Sequence, residues 1–353
     1  MKGEALQSNW NLDLRLCRTG GLKLICAAAL FLAWCAPRPQ DCARREVWCA
    51  GLVTDFGSVA QGINQQAWLA LEDAKAAGLL NRVDRIETID SRDRAANIGT
   101  FGDAGYDIVV TVGALISDET ATAAKRYPNE AFIGVEQPQQ ILIPNLAGLV
   151  FHEERSGFLA GTLAASMTQT SHVAAVCEAS FIDSIRRYCE GFRAGAFYGN
   201  PAVQVTVVYR DGPTELLFHD LDWGRESALK MLHEGADVLF AAGGETADAA
   251  LQAAAENGAL VIGTETDAYT RLEHVRPRLL TSAVNDVRPG VRALLEAARQ
   301  GKLPAGEYFG QVGLAPFHEL GSRIPAEAVS RLDEIRASIE AGEISLEVPY
   351  RLP

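Results

Sequence analysis

From Val47 onward the chain repeats one alternation: a short apolar run, a stretch with helical spacing, then another apolar run. Val47–Thr54 reads as a strand, and Gln61–Ala76 as a helix with Ile63, Ala67, Leu71 and Ala74 on one face. Strands at 108–112, 131–135 and 146–151 and helices at 117–126 and 156–167 continue the series. A second series follows, with strands at 172–177, 203–209, 238–242, 260–263 and 279–283. Its helices fall at 181–196, 224–233, 247–256 and 287–299. Strands that are apolar throughout, rather than at every second residue, belong to parallel sheets covered on both faces. Two series predict an α/β protein of two doubly wound parallel-sheet lobes joined by a hinge. The length of 353 residues suits about two domains of ordinary size.

Parallel sheets bind ligands in the crevice beyond the carboxyl ends of their strands. That rule selects Asp55, Gly113, Glu178, Gly243, Gly244, Glu265 and Asn285. Asp55 follows a strand and can accept hydrogen bonds from ligand hydroxyls; a turn or helix cap is the competing role. Gly113 and Gly243 allow the backbone to approach a ligand, or serve only the turn. Glu265 and Asp267 close the strand at 260–263 with two acids, at least one of them suited to capping.

Several chemistries lack their signatures. No G-x-x-x-x-G-K-S/T or G-x-G-x-x-G run occurs, which argues against nucleotide-triphosphate and dinucleotide cofactors. No G-x-S-x-G elbow or paired catalytic carboxylates stand out, so an enzyme is not expected. The six histidines are scattered without metal-ligand spacing, and no metal or cofactor is expected. A net charge of −13 opposes nucleic-acid binding. Acids at a crevice without a nucleophile fit capture of a small polar ligand.

The first residues differ from the rest. Arg15, Arg18 and Lys23 precede the uncharged run Ile25–Ala36, and Pro37 and Pro39 follow it. A run of about 12 residues is too short to span a bilayer and matches a signal-peptide core. Leu32-Ala33-Trp34-Cys35 resembles a bacterial lipobox, with Trp34 departing from the small residue that is usual there. Cys35 is the candidate lipidated residue; ordinary cleavage nearby, or retention as a short anchor, are the alternatives. Seven cysteines are present, and cleavage before Cys35 leaves Cys42, Cys49, Cys177 and Cys189 besides it. An even set in an oxidising compartment favours local pairs, Cys42 with Cys49 and Cys177 with Cys189, against four separate thiols.

Several segments, in order, resemble the basic membrane protein family of ABC-transporter binding lipoproteins. They are G-L-V-T-D-F-G at 51–57, N-Q-Q-A-W at 64–68, Y-D-I-V-V-T-V-G at 106–113 and A-K-R-Y-P-N-E-A-F at 124–132. G-F-L-A-G at 157–161, E-G-F-R-A-G-A at 190–196 and G-A-D-V-L-F-A-A-G-G at 235–244 follow. V-I-G-T-E-T-D at 261–267 and L-T-S-A-V-N-D-V at 280–287 complete the match, which spans roughly 47–350. The resemblance implies a type I periplasmic-binding-protein fold whose lobes close on a ligand by hinge motion. It implies a leader and linker at 1–46, a first lobe of 47–152 plus about 284–320, a second lobe of 153–283, and a C-terminal helix and tail at 321–353. It further implies an extracytoplasmic, membrane-anchored protein feeding the permease and ATPase subunits of an importer, with a nucleoside-like solute as ligand. A ligand-binding sensor reporting to a membrane receptor is the alternative.

Carried onto this chain, the ligand set is Asp55, Asn64, Gly113, Gly243, Glu265 and Asn285. Three positions depart from the family pattern. Ile63 stands where an aromatic precedes the asparagine, Glu265 replaces an aspartate, and Asn285 replaces a lysine. These departures imply an altered ligand; Trp223 is a candidate for a substitute ring, with packing at the start of a helix as the competing role.

Overall fold

The structure is a computed structural model; it describes residues 42–349 except 211 and 347. Cys35 and the apolar run before it lie outside the described residues. Two six-stranded sheets account for all the strands of the described residues, in keeping with the two series of alternating elements.

The first sheet contains β1 (Cys49–Thr54), β2 (Arg82–Ile86), β3 (Ile108–Val112), β4 (Ala131–Val135), β5 (Leu146–Val150) and β11 (Gly306–Phe309). Its order is β2-β1-β3-β4-β5-β11, with every pair parallel. Helices α1 (Gly62–Ala76) and α9 (Val287–Arg299) cover one face, and α2 (Arg94–Asp103) and α3 (Ser117–Arg126) the other. Ala50 and Leu52 of β1 enter the first core, while Val53 enters the second, which is why the strand has no polar side.

The second sheet repeats the plan with β6 (His172–Cys177), β7 (Gln204–Tyr209), β8 (Val238–Ala242), β9 (Leu260–Glu265), β10 (Leu279–Asn285) and β12 (Val312–Leu314). The order is β7-β6-β8-β9-β10-β12, and only β12 runs antiparallel to its neighbour. Helices α4 (Glu153–Met167), α5 (Asp183–Gly199) and α10 (Ala326–Glu340) cover one face. Helices α6 (Leu221–His233) and α7 (Gly244–Glu256) cover the other. A single turn, α8 (Ala268–Arg271), follows β9.

The chain passes between the sheets three times: from β5 into α4, from β10 into α9, and from β11 into β12. Adjacent crossings are tied to one another. The Gly310 N–H donates to the Val150 carbonyl at 2.8 Å, and the Asp286 N–H to the Gln311 carbonyl at 2.9 Å. The return through the first sheet ends at Phe309, whereas the sequence reading carried it to about residue 320.

Helices α4 and α5 meet backbone to backbone. A Cβ placed on Gly157, Gly161, Gly191 or Gly195 would overlap the carbonyl of Tyr188, Phe192, Glu154 or Phe158 in turn. The glycines are therefore demanded by approach distance. Cys177 at the end of β6 is bonded to Cys189 on α5, with Cα atoms 6.6 Å apart. Cys42 is bonded to Cys49 at 5.7 Å.

Candidate functional site

Strand order reverses on either side of β1 in the first sheet and of β6 in the second, so each sheet has its crevice at the ends of those strands and their neighbours. The two crevices face each other across a cavity of about 140 Å³. That is about ten times the space one buried water needs, which suits a small solute. Residues of both sheets line it: Asp55, Asn64 and Glu136 from the first, and Phe218, Glu265 and Arg271 from the second.

The two crevices are built alike. In the first, Gly113 after β3 adopts φ +116°, and a side chain there would collide with Asp55. In the second, Gly243 after β8 adopts φ +117°, and a side chain there would collide with Glu178. Both glycines thus serve the packing of an acid beneath the strand ends.

The acids differ in what holds them. Glu178 is wholly buried against Arg210, whose Nε donates to Oε1 at 2.5 Å, while the Phe218 N–H donates to Oε2 at 3.0 Å. It does not line the cavity. Asp55 does, and it accepts from the Leu115 N–H at 3.0 Å and pairs with Arg94 of α2. Burial nevertheless pushes its carboxyl up to about 6, against the opposing pull of Arg94 and the Leu115 amide.

A second matched pair lies one strand further along. Glu136 follows β4 with φ +60°, and Glu265 ends β9 with φ +67°. A left-handed backbone at a non-glycine residue costs about 1–3 kcal/mol and concentrates at functional positions. Both side chains are partly open, and both line the cavity. Burial first, then the charges of Glu265 and Glu153, hold Glu136 well above the usual carboxylate range. Burial pushes Glu265 up to about 7, with Asp248 and Glu153 adding to it and Arg271 opposing. Arg271 is itself committed to Asp248.

The remaining predicted residues have local roles. Asn64 lines the cavity and donates from Nδ2 to the Phe56 carbonyl at 3.0 Å, which holds the loop after β1. Asn285 donates from Nδ2 to Glu136 Oε1 at 3.4 Å. Gly113 and Gly243 are not themselves in the lining, although Ala114 and Gly244 beside them are.

Trp223 takes the packing role rather than the ligand one. That side chain packs on the core between the second sheet and α6 and α7. The rings at the cavity are Phe56 and Phe218, stacked with centroids 5.4 Å apart and planes 22° from parallel. His219 meets Phe56 edge-on at 5.2 Å and hydrogen-bonds through Nδ1 with Glu245 Oε2 at 3.0 Å. Glu136, Phe56 and Phe218 were missed in the sequence. Glu136 follows A-F-I-G-V of β4, so the strand-end rule already pointed to it. Phe218 sits in a loop with no periodicity to mark it.

A family model described as ABC transporter substrate-binding protein, PnrA-like, matches residues 52–314. The chain belongs to that family. It is 24% identical to a CD4+ T-cell-stimulating antigen of Listeria monocytogenes over 92% of its length and 96% of the relative's. It is 26% identical to basic membrane protein D of Borreliella burgdorferi, covering 70% of this chain and 71% of that one. In fold it resembles an ABC-transporter solute-binding protein of Aeropyrum pernix, with a TM-score of 0.73 over 86% of this chain and 94% of the other at 19% identity. The type I periplasmic-binding-protein architecture read from the motifs is the one observed, and this is a substrate-binding protein of the ABC-transporter class.

Proposed function

We propose that the protein captures a nucleoside or similar hydroxylated, ring-bearing solute outside the cytoplasmic membrane and delivers it to an ABC permease and its ATPase. One observation carries the reading: carboxylates and two facing phenylalanine rings converge from both lobes on a single cavity. Vicinal hydroxyls donate to carboxylates, and a flat base slides between or against aromatic faces. The contact between Phe56 and Phe218 joins the two lobes, so a solute that parts or replaces it changes lobe closure directly.

In this reading Asp55, Asn64, Glu136 and Glu265 contact the solute, Gly113 and Gly243 hold the acids beneath them, and Asn285 supports Glu136. Lobe 1 is 47–152 with the return that ends near Phe309, and lobe 2 is 153–283 with the segment from β12 onward. The leader directs export, and Cys35 carries the lipid that keeps the protein at the membrane. Replacing Cys35 by serine should abolish incorporation of a labelled lipid.

Calorimetry with purine and pyrimidine nucleosides tests the capture step. Asp55→Ala and Glu265→Ala should each weaken binding at least about tenfold while circular dichroism stays native, the effect of losing a charged hydrogen bond. Unchanged affinity in both variants removes the strand-end acids from the site.

A further inference from the structure

The inner wall of the cavity collects acceptors without matching donors. Glu136 and Glu265 come from opposite lobes and line the same cavity, and the charge of Glu265 adds to burial in raising the proton affinity of Glu136. Neither makes an ion pair among the described residues, whereas the other acids nearby do. Asp55 has Arg94, Asp248 has Arg271, and Glu153 has Arg187 at 2.6 Å.

Behind Glu136, and outside the lining itself, Oδ1 of Asn285 has no hydrogen-bond partner among the described residues; the residue is only 4% exposed and its Nδ2 reaches Glu136. An orphaned buried polar atom of this kind is destabilising unless a ligand satisfies it. The set is two carboxylates and an amide oxygen. What such a set lacks is several N–H donors and a positive charge. An ammonium supplies both, with three donors on one atom. A metal ion fits less well, because the described residues hold no group of three or more carboxylate, histidine or cysteine ligands arranged around one point.

We infer that the solute carries a cationic amine, seated between Glu136 and Glu265 with Asn285 backing Glu136. The inference rests on the solute-binding reading above and narrows its ligand class from neutral hydroxylated solutes to aminated ones. It also assigns Glu136 and Glu265 as the residues that set charge specificity. Facing that pair are Glu153, Arg187 and Tyr188 from α4 and α5, and Asp248 and Arg271 from α7 and α8. Arg187 and Arg271 are the cations of this group, and both are already engaged.

Two measurements test it. The first needs no ligand. Asn285→Lys places a fixed ammonium beside Glu136, and Asn285→Gln is its uncharged control. The lysine variant should melt higher than the glutamine variant at about pH 8, and the gap should narrow as pH falls and the raised carboxyls of Glu136 and Glu265 take up protons. No gap at the higher pH overturns the inference and leaves solute binding untouched.

The second compares matched pairs by calorimetry: adenosine with amino-deoxyadenosine, and glucose with glucosamine. The amine of at least one pair should bind about tenfold tighter or better near pH 8, in keeping with a charge-assisted hydrogen bond. Glu136→Gln with Glu265→Gln should erase that preference. Neutral members binding as well as their amines also overturns the inference, with the proposed function intact. Stabilisation by Asn285→Lys without binding of any member keeps the cation site and removes the nucleoside and sugar reading.

Discussion

The two lobes repeat one chain plan, yet they use the same positions differently. The acid after the first strand of lobe 2, Glu178, is closed off by Arg210 and a backbone amide. Its counterpart in lobe 1, Asp55, faces the cavity with its carboxyl raised to about 6. The helix pairs differ as well. In lobe 2, α4 and α5 touch through glycines and main chain. In lobe 1, α1 and α9 meet through side chains, and Arg288 donates to Asp73 from Nε at 2.6 Å and from Nη2 at 2.7 Å. Duplicated architecture thus separates two duties. A fully satisfied acid stiffens the fold, while an acid left under-satisfied is available to a ligand.

The sharpest way to break this comparison is to strip each acid of its arginine. Arg210→Met leaves a buried carboxylate alone and should cost about 3–5 kcal/mol in chemical denaturation. Arg94→Met should cost less, about 1–3 kcal/mol, because Asp55 is already close to taking a proton. Equal losses would mean that both acids are structural.

The helix seams come next. Gly195→Ala drives a methyl into the Phe158 carbonyl and should destabilise by about 1–3 kcal/mol, the usual cost of overpacking.

The raised carboxyls predict a pH dependence of the ligand-free protein. Asp55 and Glu265 have folded values of about 6 and about 7, above their ordinary ones. The folded state therefore binds protons more readily than the unfolded chain between roughly pH 4 and 7. The stability these groups contribute is present below that window and is lost as pH rises through it. Melting scans should show Tm falling across the window, and Glu265→Gln should flatten the fall. A Tm that rises instead would contradict the buried, under-satisfied state of these acids. Smallest of all, Arg288→Ala removes a half-exposed, solvent-screened ion pair and should leave Tm almost unchanged.

Much of the fold was legible because its strands are apolar on both sides. Ile108–Val112 and Ala131–Val135 match the observed strands residue for residue, since they are short, rich in β-branched and apolar residues and free of charge. The edge strand β2 was not legible. Its sequence R-V-D-R-I alternates charge with apolar residues and lies mostly outside the core. Helix α2 was hidden by Gly99 and Gly102, which lower helix propensity; Gly102 is required because the Tyr127 ring lies against it.

At the site, the strand-end rule found Asp55 and Glu265 but selected Glu178 equally. The sequence marks neither Arg210, 32 residues away, nor its burial. For Trp223 the sequence left open a ring for the ligand or packing at a helix start, and packing is what the fold uses. Only tertiary packing reveals that Phe218, in a loop, reaches Phe56 across the cavity.

The glycine seam between α4 and α5 has a consequence for mutational tolerance. At 157, 161, 191 and 195 the neighbouring main chain leaves room for a single letter of the alphabet, whatever solute the cleft accepts. Those positions are insulated from ligand specificity, although Glu153 and Arg187 project from the same two helices toward the cleft. A library that varies the cavity lining while freezing these four glycines would search new ligands on an unchanged frame. One that varies the glycines would mostly recover the parent.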